Sequence, residues 1–272
     1  MTYGTIFDGL PIWDSQLFPV KAVDRKSRFQ PQTWFLANNN GMQFVIKFSS
    51  GSEQANDAVK REIDFYTRLE PYRNNVSILA VLPKCISTGK YFAGHFLILE
   101  YCKLKYHGAW ISSMMEWRSS IVIRWQTVIL AWLLEFQRNS MVNRALSIPP
   151  GQVICHGDFS HFNILGSQNR FKVFDWEDWT TTVHPFLDAF HMVFQPTRRI
   201  ISGDAKTTFQ KFWMLDNPYR RHAIRNLTPF LSGMDWREAM GIYLEFQSDL
   251  LRSKAPEIGR TFELYADTWN QI

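Results

Sequence analysis

The sequence predicts an α+β fold in which an antiparallel sheet with one helix comes first and a mostly helical region follows. Two observations lead to this prediction. Roughly the first hundred residues contain short apolar runs separated by polar turns, a pattern typical of strands. Beyond them, apolar residues recur at three- and four-residue steps between glycine and proline positions, a pattern typical of helices.

Composition and charge narrow the class of protein. The chain has 272 residues, of which 46% are hydrophobic, enough for a sizeable core in one or two domains. The formal net charge of +5 mildly favours anionic ligands, but Lys and Arg are dispersed, so nucleic-acid binding is not expected. The most apolar run, 121–136, contains Arg124 and Gln126 and is too short and polar to span a bilayer.

Cysteine usage and the opening residues indicate the compartment. Cys85, Cys102 and Cys155 lack metal-ligand spacing, which fits free thiols in a reducing cytoplasm. The opening M-T-Y-G-T-I-F-D has no basic stretch before an apolar run, so no signal peptide is expected. We therefore expect a cytoplasmic protein without a membrane partner; monomer and homodimer both stay open.

Three strands and a helix are predicted near the start of the chain. The strands cover Phe18–Asp24, Gln32–Asn38 and Met42–Phe48, and the N-N-G turn before Met42 indicates a hairpin between the last two. An amphipathic helix follows, with Ile63, Tyr66 and Leu69 expected on its apolar face.

Helical periodicity dominates the later chain. Residues 106–141 are predicted to be helical, because Trp125, Trp132 and Phe136 belong to a series of apolar residues at helical spacing. Pro149 and Pro150 end this helix. Five further helices are predicted over Leu187–Phe194, Ala205–Met214, Pro218–Phe230, Trp236–Arg252 and Gly259–Trp269.

The stretch from Val153 to Glu177 contains the residues with the clearest chemistry. Apolar strands at Val153–Cys155 and Phe171–Phe174 enclose a polar loop and a turn. The loop carries His156, Asp158, His161 and Asn163, and Asp175 and Glu177 come directly after the second strand. Carboxylates and an amide at strand ends suit a site that holds a metal ion and accepts a proton.

This spacing suits phosphoryl transfer. That reaction needs a carboxylate to orient the attacking hydroxyl and oxygen ligands for the magnesium ion that bridges the phosphates. Asp158 and Asn163, five residues apart, lie on one loop, and Asp175 follows on the next strand. Two buried strands joined by a polar turn are the alternative interpretation.

The motif H-G-D-F-S-H-F-N followed by D-W-E resembles the aminoglycoside phosphotransferase and choline kinase group of small-molecule kinases. The resemblance implies a two-lobed protein-kinase-like fold that uses ATP and Mg²⁺ to phosphorylate a hydroxyl. It implies that Asp158 is the catalytic base and that Asn163 and Asp175 are magnesium ligands. It also implies that Glu177 lies near the metal or substrate, and that Asp188 braces the catalytic loop.

A lysine and a glutamate in the N-terminal region fit the same class. Kinases use a strand lysine, held by a helix glutamate, to contact the α- and β-phosphates. Lys47 at the end of the third strand and Glu62 on the following helix match these elements. Glu53 is the alternative partner but lies close to the turn. Taken alone, such a pair is also common among solvated surface charges.

The expected phosphate loop, 24–32, departs from the protein-kinase pattern because it contains no glycine. Small-molecule members of the group often use a serine-bearing turn, so Ser27 is the candidate for phosphate contact. Arg25, Lys26 and Arg28 are an alternative source of positive charge. A solvated basic turn without phosphate contact is an equally open interpretation.

The run His95–Cys102 resembles the segment that binds adenine in kinases. Adenine pairs there with backbone atoms, so the expected contacts are the Glu100 carbonyl and the Cys102 amide. An ordinary core strand is the alternative. The predicted division places a nucleotide-binding lobe in residues 1–100, and the catalytic loop, metal site and acceptor-binding helices in residues 101–272.

The acceptor is predicted to be a small molecule with a hydroxyl group. Ser160 stands where protein kinases commonly have lysine, and the helical region is short for a protein kinase. The carboxylates beyond residue 180 are dispersed, which favours a sugar, amino alcohol, antibiotic or other natural product that is neutral or aromatic over a polycation. A protein or peptide kinase and a non-catalytic nucleotide-binding module are the remaining alternatives.

Overall fold

The computed structural model describes residues 18–23, 31–38, 41–49, 52–91, 94–104, 119–167, 169–198 and 205–271. The chain forms two units. The first contains Met1–Leu104 together with Lys172–Trp179, and the second contains Lys105–Phe171 together with Thr180–Ile272. An antiparallel sheet dominates the first unit and helices dominate the second, so the predicted α+β kinase-like class is confirmed.

A five-stranded sheet forms the centre of the first unit. Its strands are β1 (Phe18–Val23), β2 (Gln32–Asn38), β3 (Gly41–Phe48), β4 (Cys85–Tyr91) and β5 (Gly94–Glu100). They lie in the order β1-β2-β3-β5-β4, and all neighbours are antiparallel. Strand β3 is central, and its buried residues share a hydrophobic cluster with those of β2 and β5.

The β2–β3 hairpin confirms the prediction from the N-N-G turn. Asn38 pairs with Gly41, and the two residues between them lie outside the described ranges. Gly41 has a φ of +101°, in the region that glycine enters without the steric cost that a Cβ would impose. The turn sets the pairing next to it, and a register shift between Leu36 and Ala37 then places Lys47 opposite Thr33 on β2.

Helix α1 (Glu53–Leu69) begins at Ser52, whose hydroxyl accepts a 3.1 Å hydrogen bond from the N–H of Ala55. The predicted apolar face is partly wrong. Tyr66 and Leu69 are buried as expected, but Ile63 is only half-buried. The buried face is instead centred on Glu62 and Phe65, both fully buried. A carboxylate rarely occupies such a position without a partner, so the burial of Glu62 itself indicates a site.

The second unit is built mainly from helices. Their bounds are α2 (Ser119–Arg138), α3 (Ser140–Ala145), α4 (Leu187–Arg198), α5 (Ala205–Phe209), α6 (Pro218–Leu227), α7 (Trp236–Lys254) and α8 (Pro256–Trp269). The short strands β6 (Val153–Cys155) and β9 (Thr180–Thr182) pair antiparallel, while β7 (Ile164–Ser167) and β8 (Arg170–Val173) lie between them in the chain. Among the described residues, no helix has both the length and the apolar character needed to cross a bilayer.

The helix predicted over 106–141 differs from the structure at its end. It breaks at Asn139, whose side-chain oxygen accepts hydrogen bonds of 3.1 Å from the N–H groups of Met141 and Val142. That cap starts a separate helix, α3, because it satisfies N–H groups that have no partner at a helix start. Residues 105–118, where the prediction began, lie outside the described ranges.

Helix α4 continues past its predicted end at Phe194, with Pro196 inside it. Proline has no N–H, so the carbonyl of Met192, four residues earlier, loses its usual helical partner. The side-chain amide of Gln126 on α2 donates to this carbonyl at 3.2 Å. A buried polar side chain from another helix therefore compensates for the proline.

Candidate active site

Lys47 lies at the centre of an ion-pair network in the first unit. It is only 4% exposed, and its Nζ is 2.5 Å from Glu62 Oε2 and 3.5 Å from Glu177 Oε2. Lys47 Nζ also donates to Asp175 Oδ1. The predicted contact between Lys47 and Glu62 is therefore present, whereas Glu53, the alternative partner, is exposed in the first turn of α1.

Glu62 connects α1 to the D-W-E segment. One of its oxygens contacts Lys47, and the other accepts a 3.2 Å hydrogen bond from the backbone N–H of Trp176. Burial raises the pKa of the Glu62 carboxyl, and the adjacent Lys47 ammonium opposes that shift. The ion pair and the backbone hydrogen bond are what make a fully buried carboxylate tolerable here.

The backbone leaves β8 in a conformation that few residues adopt. Asp175 has φ 69° and ψ 53°, the left-handed region, which Asp and Asn enter more readily than other non-glycine residues. Trp176 is fully buried and stacks on Phe65 of α1, with ring centroids 4.1 Å apart. This packing stabilises the left-handed conformation of Asp175, which places Asp175 and Glu177 beside Lys47.

Arg61 and Trp179 attach the same segment to α1. Arg61 Nε donates to the backbone carbonyl of Glu177 at 2.8 Å, and Trp179 Nε1 donates to the backbone carbonyl of Arg61 at 2.8 Å. The reciprocal hydrogen bonds hold the residues after Asp175 along one helix turn.

The acidic residues around Lys47 have the donor chemistry of a magnesium site. One oxygen each from Glu62, Asp175 and Glu177 lies within 4.8 Å of the others. A divalent cation bound there would reduce the repulsion among the three carboxylates. Hard oxygen ligands of this kind are those that Mg²⁺ prefers. The residues therefore fit the predicted ion, with Glu177 as an acidic neighbour of Asp175.

In the second unit, Asp188 supports the loop that carries Asp158. Its carboxylate accepts hydrogen bonds from the backbone N–H groups of His156, at 2.6 Å, and Gly157, at 3.2 Å. Gly157 has a φ of 86°, which explains a glycine before Asp158. Burial raises the pKa of the Asp188 carboxyl, although His156 and these N–H groups act in the opposite direction. The predicted bracing role of Asp188 is confirmed.

Asp158 presents a half-exposed carboxylate, with 52% of its side chain accessible. Asn163 Nδ2 donates at 2.9 Å to Asp158 Oδ2 and at 2.9 Å to the Asp158 backbone carbonyl. The amide nitrogen of Asn163 is thus engaged by the loop, and its amide oxygen is the atom with the chemistry of a metal ligand.

His191 on α4 is a contact of Asp158 that sequence reasoning missed. Its Nε2 lies 2.9 Å from Asp158 Oδ1, and the imidazole is buried. A signal was available, because His191 comes three residues after Asp188 and so shares a helix face with it. The pattern alone does not distinguish such a histidine from one in the core.

Helix α2 packs against the loop that carries Asp158, as predicted. The Trp132 ring stacks on Phe159, with centroids 6.2 Å apart, and Phe159 is fully buried. Gln137 Nε2 donates to the carbonyl of Ile154 on β6 at 3.1 Å. The residue after Asp158 is therefore a hydrophobic anchor for the loop.

The remaining predicted nucleotide contacts stay predictions. Ser27 and the basic residues of its loop lie outside the described residues. The Glu100 side chain accepts from Lys172 Nζ at 3.1 Å and from the Lys84 N–H at 3.0 Å. Burial raises the pKa of Glu100, but these hydrogen bonds outweigh it and the net shift is downward. The Cys102 carbonyl accepts from the N–H of Leu104 at 2.7 Å.

An N-terminal antiparallel sheet with a lysine–glutamate pair, followed by a helical unit with the H-G-D loop, defines the protein-kinase-like class of fold. No family model matches the chain, and no curated protein matches it in sequence. The similarity to known proteins is found by comparing the structure of this chain with solved structures.

A choline/ethanolamine kinase family protein from Mesorhizobium loti is similar in structure, with a TM-score of 0.50 and 12% sequence identity over 98% of this chain and 90% of that chain. An aminoglycoside-3'-phosphotransferase of type VIII has a TM-score of 0.43 and 14% identity over 80% of this chain and 94% of that chain. The first likeness shows the fold, and the resemblance inferred from the motif is confirmed at that level.

Proposed function

We propose that this protein is a phosphotransferase that moves the γ-phosphate of ATP to a hydroxyl group of a small molecule, with Mg²⁺ as its metal ion. The observation that carries the proposal is the buried Lys47 network with Glu62, Asp175 and Glu177. Burying a lysine with three carboxylates costs desolvation free energy. Such buried charge clusters are found preferentially at functional sites. The Asp158–Asn163 pair in the second unit supports the same chemistry.

Lys47 and its partners are assigned to the nucleotide. Lys47 contacts the α- and β-phosphates, and Glu62 keeps the ammonium oriented, as a strand lysine and helix glutamate do in kinases. Asp175 and Asn163 hold Mg²⁺, with Glu177 as a further acidic neighbour. When bound there, Mg²⁺ would supply positive charge to the phosphates. Ser27, the Glu100 carbonyl and the Cys102 amide remain predicted contacts for phosphate and adenine.

Asp158 is assigned as the base. Its carboxylate orients the acceptor hydroxyl and takes its proton while the oxygen bonds to the γ-phosphorus. The bond from that phosphorus to the bridging oxygen breaks, and ADP leaves with the bonding electrons. The exposed half of the Asp158 side chain supports this assignment, because a base must reach its substrate.

The acceptor is assigned to neutral or aromatic hydroxyl compounds. Carboxylates of the second unit are spread along the sequence, with Lys and Arg among them, which disfavours a polycation. Sugars, amino alcohols and other natural products remain candidates. The name of the Mesorhizobium loti protein supports the amino alcohols, which carry one positive charge and so are not polycations.

Transfer of phosphate from Mg-ATP is the direct test. A deproteinised metabolite extract of the native host would be incubated with Mg-ATP and either wild-type protein or Asp158→Asn, then compared by mass spectrometry. We expect one metabolite class to gain a phosphate with wild type. Asp158→Asn should reduce this turnover by about 10²- to 10⁴-fold, the usual contribution of a positioned base, while ATP binding persists.

The matched control in the same unit is Asp249→Asn, because Asp249 is exposed and forms an ion pair with Arg252 at the surface. The Asp249→Asn protein should phosphorylate the same metabolite class with the turnover of wild type. Equal turnover of wild type and Asp158→Asn would remove the assigned base. Phosphate found on added protein instead of metabolites would favour a protein kinase, and ATP binding without transfer would favour a nucleotide-binding module.

A further inference from the structure

The carboxylate of Asp158 is held on both of its oxygens. Asn163 Nδ2 donates to Oδ2 at 2.9 Å, and His191 Nε2 lies 2.9 Å from Oδ1. The two contacts come from different elements, the loop itself and helix α4. A half-exposed carboxylate has several accessible rotamers in water, so these contacts select one of them.

His191 is itself fixed from both sides. Its Nδ1 lies 3.1 Å from the Tyr243 hydroxyl on α7, and Gln195 Nε2 lies 2.9 Å from His191 Nε2. All three side chains are buried. A histidine held at both ring nitrogens has its ring plane and its tautomer determined by its neighbours.

The donors and acceptors assign the proton to Nε2. An ionised carboxylate only accepts hydrogen bonds, so Nε2 must carry the hydrogen that Asp158 receives. In the neutral ring Nδ1 then accepts from the Tyr243 hydroxyl. A half-turn of the Gln195 amide replaces its nitrogen with Oε1, a buried oxygen that otherwise accepts no hydrogen bond from the described residues. The turn removes the conflict between two donors at Nε2.

We propose that His191 is a positioning residue for Asp158: its Nε2–H holds the carboxylate in the orientation that receives the acceptor proton, and Tyr243 and Gln195 keep the imidazole in place. This inference rests on the proposed function, because it concerns the base assigned there. Protein kinases commonly place a lysine two residues after this aspartate, where this chain has the buried Ser160. The helix histidine supplies a donor to the carboxylate from a different element.

The first test reads the tautomer and needs no acceptor. The full chain would be labelled with ¹⁵N-histidine, and the ring nitrogens of His191 would be assigned by their loss in His191→Gln. We expect a protonated Nε2 and an unprotonated Nδ1. A His191 ring protonated only at Nδ1 would overturn the inference, since it cannot donate to Asp158.

The second test is kinetic, with Mg-ATP as the varied substrate and a fixed amount of the deproteinised host extract as the acceptor source. Loss of alignment should lower the maximal turnover of His191→Leu by about 10- to 100-fold, with KM for ATP within about twofold of wild type. His191→Gln, which retains an N–H donor, should recover most of that loss. Equal losses in both variants would indicate a packing role and overturn the inference.

A double variant separates positioning from structure. If His191 acts through Asp158, His191→Leu should cause no further loss in the Asp158→Ala background, whereas independent effects would multiply. His222→Leu, at a half-buried histidine on α6, is the control and should keep wild-type turnover. Full activity of His191→Leu with an inactive Asp158→Ala would refute this inference alone. Full activity of Asp158→Ala would refute the assigned base.

Discussion

At the scale of single residues, Lys47 is the side chain whose environment is hardest to explain without function. Its ammonium contacts Glu62, Asp175 and Glu177, and the three carboxylate side chains are at most 14% exposed. Burying charged groups in a poorly solvated place is costly even when they are paired. The close approach of three carboxylate oxygens is the physical reason to test for a divalent cation next to Lys47.

Lys47→Met removes the ammonium and leaves the three carboxylates facing each other. We expect the free energy of unfolding to fall by about 3–5 kcal/mol, the usual cost of breaking a buried ion pair on one side. Added MgCl₂ without nucleotide should restore part of this loss, since the cation neutralises the same carboxylates. Urea denaturation with and without MgCl₂ measures both effects.

The control for this prediction is Lys60→Met, because Lys60 pairs with Asp57 at the surface at 3.5 Å. An exposed ion pair of this kind contributes little to stability. A Lys47→Met protein as stable as wild type, with no response to MgCl₂, would contradict the charge argument.

At the scale of elements, helices α1 and α4 each position part of the candidate site within their own unit. Helix α1 holds the D-W-E segment through the stacking of Trp176 on Phe65 and the hydrogen bonds of Arg61. Helix α4, which carries Asp188 and His191, contains Pro196 and depends on Gln126 to satisfy the carbonyl of Met192. Contacts that stabilise these helices and the D-W-E segment therefore also stabilise the candidate site.

Gln126→Leu removes the donor to the Met192 carbonyl and should lower the free energy of unfolding by about 1–3 kcal/mol, the cost of a buried polar group without its partner. Adding Pro196→Ala should recover part of that loss, because the substitution restores the backbone N–H that bonds this carbonyl in a regular helix. A double-mutant cycle from urea denaturation measures the coupling. Strictly additive effects of the two changes would show that the amide does not compensate for the proline.

At the scale of the whole molecule, the residues assigned to the proposed reaction belong to two units that are not continuous in sequence. Residues 172–179 belong to the first unit although they follow the Asp158 loop of the second in sequence. Asp175 therefore shares a unit with Lys47, while Asp158 and Asn163 share the other. The proposed function assigns Mg-ATP to residues of both units, so binding should stabilise the protein as a whole.

Mg-ATP should raise the thermal unfolding temperature in proportion to the logarithm of its concentration, with about 2.7 kcal/mol gained at a hundred times Kd. Asp175→Ala should lose the magnesium-dependent part of this stabilisation, because it lacks a metal ligand. Asp158→Asn should retain it, since Asp158 is assigned to the acceptor. Thermal scans with ATP in MgCl₂ or in EDTA separate these cases, and an unchanged response in Asp175→Ala would remove its assigned role.

The sequence by itself determined the features that depend on neighbours along the chain. The N-N-G turn specified the β2–β3 hairpin, because backbone conformations near glycine are decided locally. The spacing in H-G-D-F-S-H-F-N identified Asp158 and Asn163, since five residues on one loop keep two side chains close. Helical periodicity identified the helices but missed the break at Asn139. The side chain of this residue caps the start of a new helix, α3.

Only the tertiary structure decided which distant side chains complete the site. Glu177 contacts Lys47 although 130 positions separate them, and His191 contacts Asp158 across 33 positions. Trp176 lies between the acidic residues Asp175 and Glu177 in the sequence, yet its ring is buried and stacks on Phe65. Such contacts depend on how folded elements pack, and periodicity carries no information about which side chains meet across them.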